Sequence, residues 1–382
     1  MRRLGCILIV FAFLLCSFPV GVQAAAPEVS AKSSCLMDIE TGTVLQAQNA
    51  DELLAPASVT KVMTMLLVME ALDSGRIALT DMVTASEAAA AKGGSQIYLK
   101  VGEQLSVDDM LKSVAVSSAN DCACALAEHI AGSEAAFVDM MNNRAAELGM
   151  TNTHFINCTG LDDGEDAASH RTTARDIAIM SRELMKNHPD IQKYTTIWMD
   201  TVRNGTFGLS NTNKLVRFYP GATGLKTGFT SGAGYCLSAT AEKNGLGLIA
   251  VVMGASTSQD RFNACKQLLD YGFATYGIVR PEADGTLAVP VKLGQSDFVS
   301  AVPAEDTALL IDKSQINGVN IKTTLEEEVT APVSQGQRLG TMTVSVGEQI
   351  LKEIPLVAEV PVQRLSGWDI FVILLKHQLM AK

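Results

Sequence analysis

Several kinds of protein are excluded by what this sequence is short of. Basic residues are outnumbered, with 30 Lys and Arg against 41 Asp and Glu and a formal net charge of −11. A partner with a phosphate backbone needs a basic surface, so nucleic acid is excluded. No block of like charge forms a tail, and the acidic cluster Glu326–Glu328 reads as a solvated edge or turn. Histidine is scarce, with five scattered along the chain. There is no His-Glu-x-x-His, no Gly-x-Ser-x-Gly elbow and no phosphate-binding glycine loop, so neither a metal nor a cofactor is expected. Aromatics make up only 5%, yet hydrophobic residues reach 47%, which is ordinary for a globular protein and far from a disordered one. At 382 residues the chain has room for two domains, one of them large.

The first two dozen residues read as a leader. Arg2 and Arg3 open it, Ile7–Leu15 is an uncharged apolar run, and Val22-Gln23-Ala24 places small residues at −3 and −1 of a cleavage site. This pattern predicts a secretory signal peptide over 1–24 and an exported protein. A retained transmembrane anchor is the alternative, but the run is short and ends at Pro19 and Gly21. Six cysteines lie beyond it: Cys35, Cys122, Cys124, Cys158, Cys236 and Cys265. An even count in an exported protein permits disulfides, though a domain this large does not need them, and buried free thiols are the expected state. Cys122 and Cys124, two apart on a helix, point to different sides and make no metal pair.

Helices and strands are mixed. Ser34–Gln48 predicts a hairpin around Glu40-Thr41-Gly42. Ala55-Pro56-Ala57-Ser58 opens a helix running to about Leu72. Leu105–His129 is helical in two pieces with a break at Ser117–Asn120. Glu134–Leu148, Thr173–Lys186 and Arg261–Ala274 are further helices, and Leu225–Thr240 and Gly247–Gly254 read as adjacent strands. From 278 to 362 the helical period vanishes and short alternating runs are separated by Gly336, Gly340 and Gly347, which predicts a small all-β domain. The remainder, 363–382, places Trp368, Phe371, Val372, Leu375 and Leu379 on one helical face. Its unbroken apolar run, Ile370–Leu375, is too short to cross a bilayer, and the segment suits an amphipathic helix lying in the membrane interface, the alternative being a helix packed on the β domain. The expected division is therefore 1–24, a catalytic domain over 25–277, a β domain over 278–362 and an anchor helix over 363–382.

Three short patterns carry the chemistry: Ser58-Val59-Thr60-Lys61, Ser118-Ala119-Asn120 and Lys226-Thr227-Gly228. Each alone is a weak signal. Their order, their spacing of 60 and then 108 residues, and their placement at a helix start, a helical break and a strand make the set specific. A serine hydroxyl becomes a nucleophile when a base takes its proton. One helical turn separates Ser58 from Lys61, so the amine reaches the hydroxyl. Lys61 must be neutral to act as base, which burial and a second cation, Lys226, would favour. At a helix N-terminus the Ser58 N–H suits an oxyanion, where losing one donor costs about 3 kcal/mol of barrier. Ser118 is placed to relay protons and Asn120 to hold an amide. Lys226 and Thr227 suit a carboxylate, and Gly228 lets a substrate backbone approach the strand by β-augmentation.

The three patterns together make the set shared by penicillin-binding proteins and class A β-lactamases, with Ala119 where Asp is usual. Ala57–Thr64, Ser117–Asp121 and Gly224–Thr230, with Leu99–Glu103, Leu148–Thr153, Gly160-Leu161-Asp162 and His170 to Asp176 between them, resemble the low-molecular-mass penicillin-binding proteins, the serine D-Ala-D-Ala carboxypeptidases. The similarity spans about Lys32–Phe273. It implies a mixed α/β transpeptidase-like domain, an antiparallel sheet with helices on both faces, followed by a small β domain and a terminal helix. It further implies removal of the last D-Ala from peptidoglycan stem pentapeptides through an acyl-enzyme, and capture by β-lactams, at the outer face of the cytoplasmic membrane. By resemblance Ser58 is nucleophile, Lys61 base, Ser118 and Asn120 relay and amide anchor, and Lys226 with Thr227 the carboxylate site. The Phe229 N–H is the second oxyanion donor, and Arg261 resembles a supporting basic residue. Phe229 stands where many members have His.

Rival readings share these residues. A class A β-lactamase needs a carboxylate to activate water between the second and third patterns. Glu165 lies there, but inside the acidic turn Asp162–Asp166. A DD-endopeptidase would use the same groups, and intact Ser58, Lys61 and Lys226 argue against an inactive cell-wall binding module. His170 reads as a satisfied polar residue rather than a catalyst.

Overall fold

A computed structural model of the chain describes residues 26–162, 166–282 and 285–380. The leader expected over 1–24 and Glu165 lie outside the described residues. Strands β1 (Ser33–Asp38) and β2 (Val44–Gln48) form the expected hairpin. Its turn is held by the Asp38 carboxylate, which accepts from Thr41 N and Oγ1, and by Gly42 at φ +75. A 3₁₀ turn over Ala57–Thr60 leads into α1 (Lys61–Asp73). Helices α2 (Val107–Ser117), α3 (Asn120–Ala131), α4 (Glu134–Glu147) and α5 (Ala174–Asn187) follow. Ser106, Ser133 and Thr173 cap the starts of α2, α4 and α5 by accepting from the third residue on, which fixes where each begins.

The chain then returns to the sheet as β3 (Ala222–Thr230), β4 (Gly234–Lys243) and β5 (Leu246–Ala255), and closes with α6 (Ser258–Thr275). The stretch expected as one strand over Leu225–Thr240 is two, β3 and β4, reversing at Ser231–Ala233, where Thr230 Oγ1 accepts from Ala233 N. The sheet is antiparallel throughout, in the order β2-β1-β5-β4-β3. Both its faces are covered, so β5 is apolar at nearly every position. Leu248, Ala250 and Val252 pack with Phe262, Leu268 and Leu269 of α6. Ile249, Val251 and Met253 pack into the larger core of α1 to α5. Helix α1 is buried from Lys61 to Met69 on every side, as a helix at the centre of a core must be.

The β-rich part holds β6 (Tyr276–Val279), β7 (Ala288–Lys292), β8 (Phe298–Pro303), β9 (Leu309–Asp312), β10 (Val319–Leu325), β11 (Val329–Thr330), β12 (Arg338–Val346) and β13 (Gln349–Ala358). Six of them form one sheet, β10-β12-β13-β8-β7-β11, over a core that includes Val289, Leu339, Val344 and Ile354. Strands β6 and β9 pair separately. The terminal helix α7 (Gly367–Met380) differs from the single apolar face expected of it. Ile370, Phe371, Ile373, Leu374 and Leu375 are all exposed, and such consecutive positions wrap around the helix. Among the described residues no helix is long and apolar enough to cross a membrane. The six described cysteines are free and buried.

Candidate active site

The α-helix expected to open at Ala55-Pro56-Ala57-Ser58 begins three residues after the serine. Ser58 sits instead in the 3₁₀ turn, behind Ala57 at φ +48. In a 3₁₀ turn residues i and i+3 eclipse, so the pairing survives the change of helix type. Lys61 Nζ donates to Ser58 Oγ at 3.0 Å and to Thr159 O at 2.7 Å. Ser58 keeps partial exposure while Lys61 is sealed off completely. Burial pushes the Lys61 amine down to about 7, against the opposing pull of Cys158 and Asp121.

The second wall is the junction of α2 and α3. Ser118 ends α2 in the left-handed conformation, φ 63 and ψ 29, and Asn120 starts α3. Asn120 N donates to Ser95 O and its Nδ2 to Gly93 O, both at 2.7 Å. Asn120 Oδ1 is buried with no partner among the described residues. The next residue, Asp121, accepts from Ile97 N, Leu99 N and Cys122 N, and so pins the 93–99 segment beside the junction. Ala119, where a carboxylate is usual, is fully buried.

The third wall is β3, an edge strand with one side unpaired in the sheet. Lys226 is buried and donates to Thr227 O at 2.9 Å. Burial, then the charges of Lys61 and Arg261, hold its amine well below the usual lysine range. The two amines disfavour each other's charge, and burial is the main cause of the depression of both. Thr227 Oγ1 donates to Thr212 Oγ1 at 2.7 Å, and Thr212 N to Val116 O, which ties β3 to the end of α2. At Gly228 a Cβ would lie 2.8 Å from Pro56 O and 3.0 Å from Ser58 N, so only glycine fits against the serine turn. Arg261 Nη1 donates to Gly228 O at 2.9 Å. Phe229 is 53% exposed, its ring stacked on Tyr235 at 4.2 Å.

Residues 20–257 match the family described as D-alanyl-D-alanine carboxypeptidase, and residues 282–364 the family described as penicillin-binding protein 5, C-terminal domain. The chain belongs to the D-alanyl-D-alanine carboxypeptidase family. It is 42% identical over 363 residues to the D-alanyl-D-alanine carboxypeptidase DacF of Bacillus subtilis (strain 168), covering 93% of this chain and 92% of that one. Penicillin-binding protein 5 from Haemophilus influenzae superposes with a TM-score of 0.75 at 33% identity, over 88% of this chain and 99% of that one. Penicillin-binding protein D2 from Listeria monocytogenes, solved in its ampicillin-bound form, superposes with a TM-score of 0.57 at 33% identity, over 65% of this chain and all of that one (100%).

For a carboxypeptidase of this family, the three sequence patterns miss the layer behind the serine. Thr159 supplies the carbonyl that holds Lys61. Gly160, at φ +83, lies so close to the serine turn that a Cβ there would be 1.8 Å from Ala57 O. Thr60 Oγ1 bonds Ala57 O and His170 Nε2, both at 2.8 Å. The string Gly160-Leu161-Asp162 marks this region in sequence, but nothing local says that it meets Ala57. Elsewhere Glu70, Glu183 and His188 converge as metal ligands would. Arg144 donates to both carboxylates at 2.7 Å, so a guanidinium already holds them together.

Proposed function

We propose that Ser58 is the nucleophile by which this chain removes the terminal D-Ala from peptidoglycan stem pentapeptides. The observation that carries the reading is Lys61 Nζ, sealed from solvent, 3.0 Å from the Ser58 hydroxyl. Neutral Lys61 takes the hydroxyl proton as Ser58 attacks the carbonyl of the penultimate D-Ala. The Ser58 and Phe229 backbone N–H groups receive the oxyanion, and Ser118 passes a proton to the departing D-Ala amine. The terminal carboxylate enters beside Lys226 and Thr227, where its charge favours the ammonium form of the buried Lys226 amine. The orphaned Oδ1 of Asn120 suits a substrate amide N–H, and Gly228 leaves room for the peptide along the open edge of β3. Water then releases the acyl group from Ser58. A β-lactam carbonyl meets the same machinery and acylates the same oxygen.

The rest of the chain fits export and attachment: residues 1–24 as a cleaved leader, 25–277 as the catalytic domain, 278–362 as a β-rich support and 363–382 as an anchor. The exposed apolar side chains of α7, Trp368 among them, suit the interface of the outer face of the cytoplasmic membrane. The deciding experiment incubates the protein with pentapeptide-containing muropeptides and reads the products by mass spectrometry. Loss of one alanine is expected, and cleavage of cross-linked dimers alone would replace the reading with an endopeptidase. The Ser58→Ala protein should form no adduct with a fluorescent penicillin, and continued labelling would overturn the nucleophile.

A further inference from the structure

We propose that His170 and Thr60 are positioning residues that aim the Ser58 backbone N–H into the cleft. The inference rests on the reading of Ser58 as the nucleophile, with its own N–H receiving the oxyanion. The Ala57 carbonyl and the Ser58 N–H belong to one trans peptide and point in opposite directions. Whatever grips the carbonyl therefore aims the N–H.

That grip is a directed chain of hydrogen bonds. Ile156 N–H donates to His170 Nδ1 at 3.2 Å, which leaves the ring proton on Nε2. His170 Nε2–H then donates to Thr60 Oγ1, and Thr60 Oγ1–H to Ala57 O, each at 2.8 Å. Thr60 is fully buried and His170 nearly so, so no water competes for these groups. The turn needs holding, because Ala57 at φ +48 occupies the left-handed region without being glycine. Two glycines close on the same peptide, Gly160 against Ala57 O and Gly228 against Ser58 N. They supply contact from either side but no direction; beyond the turn's own i→i+3 backbone bonding, the hydroxyl chain is what grips this carbonyl. Burial, then the charges of His154, Arg171 and Lys61, pushes His170 down to about 4, so the chain keeps one direction at neutral pH.

The test compares Thr60→Val, which keeps the shape and loses the hydroxyl, with Thr60→Ser, and His170→Ala with His170→Gln, which keeps a donor near the Nε2 position. For Thr60→Val and His170→Ala, kcat on a D-Ala-D-Ala peptide should fall about 10- to 100-fold with KM within about twofold. Affinity for a peptide boronic acid, whose tetrahedral adduct puts an oxygen at the oxyanion position, should fall by the same factor. Thr60→Ser and His170→Gln should recover most of it. Since His170 is neutral, the acid limb of the pH–rate profile should not move in any variant. Parent-like kcat in His170→Ala, retained boronate affinity, or a displaced acid limb would each overturn the proposal, the last by assigning the effect to Lys61. Should Thr60→Val not fold, equal kcat for His170→Ala and His170→Gln would overturn it. Failure of the underlying reading looks different: penicillin would still label the Ser58→Ala protein.

Discussion

A lysine with no water around it is a different acid from one at the surface. Lys61 drops to about 7 from 10.5 because burial disfavours its ammonium form. Acylation that needs the free amine should therefore rise as pH passes through about 7, read as the acid limb of penicillin acylation; a limb centred near 10 would remove Lys61 as base. The same shift sets a stability window. Below about 7 the amine is charged in both folded and unfolded chains, and the full cost of burying the charge is present. Between 7 and 10.5 the unfolded chain binds a proton that the folded one does not, so that cost fades with rising pH. The advantage of Lys61→Met over the parent in urea unfolding should thus shrink by about 1.4 kcal/mol per pH unit across that window. A difference that stays flat from pH 7 to pH 9 would contradict the shift. The Ser58–Lys61 pairing was legible from a spacing of three. The depression of the Lys226 amine was not, because it depends on a covering of residues far away in sequence and on the charges of Lys61 and Arg261.

At the scale of elements, the site is assembled where backbones touch. Gly160 and Gly75 both take positive φ, +83 and +69, so alanine is strained at either. Only Gly160 also faces a backbone oxygen, at 1.8 Å from its hypothetical Cβ, whereas Gly75 has nothing within 4 Å. Gly75→Ala should cost about 1 kcal/mol and leave acylation intact. Gly160→Ala should cost at least about 3 kcal/mol and slow acylation, because either Ala57 or the 159–160 segment that holds Lys61 must move. Thermal melting and penicillin labelling compare the two, and equal losses would show that contact with the serine turn does not matter. Local sequence described most elements well, since caps such as Thr173 and break residues such as Ser118 act within a turn of themselves. It failed between β3 and β4, where the turn signal Ser231-Gly232 is passed over because both flanking strands are buried with no alternation to mark a solvent face.

Across the whole molecule, two burial regimes coexist. The sheet with its two helical layers and the six-stranded β sheet each close over an apolar core, while α7 leaves Trp368, Phe371, Leu374 and Leu379 in solvent. A helix with such a surface needs a cover, and deletion of residues 365–382 should move the protein from the membrane to the soluble fraction with its penicillin labelling unchanged. Full membrane retention after the deletion would end the anchor reading. The amino-acid sequence by itself determined most of the helices and strands, the change to an all-β texture after residue 278 and the three short patterns, because periodicity, caps and short spacings act within a few residues. Only the tertiary structure decided that Gly160 and Gly228 clamp the serine peptide, that His170 reaches Thr60, and that both lysines are sealed from water. Those facts depend on chain segments about a hundred residues or more apart arriving at the same point, and no local pattern encodes that meeting.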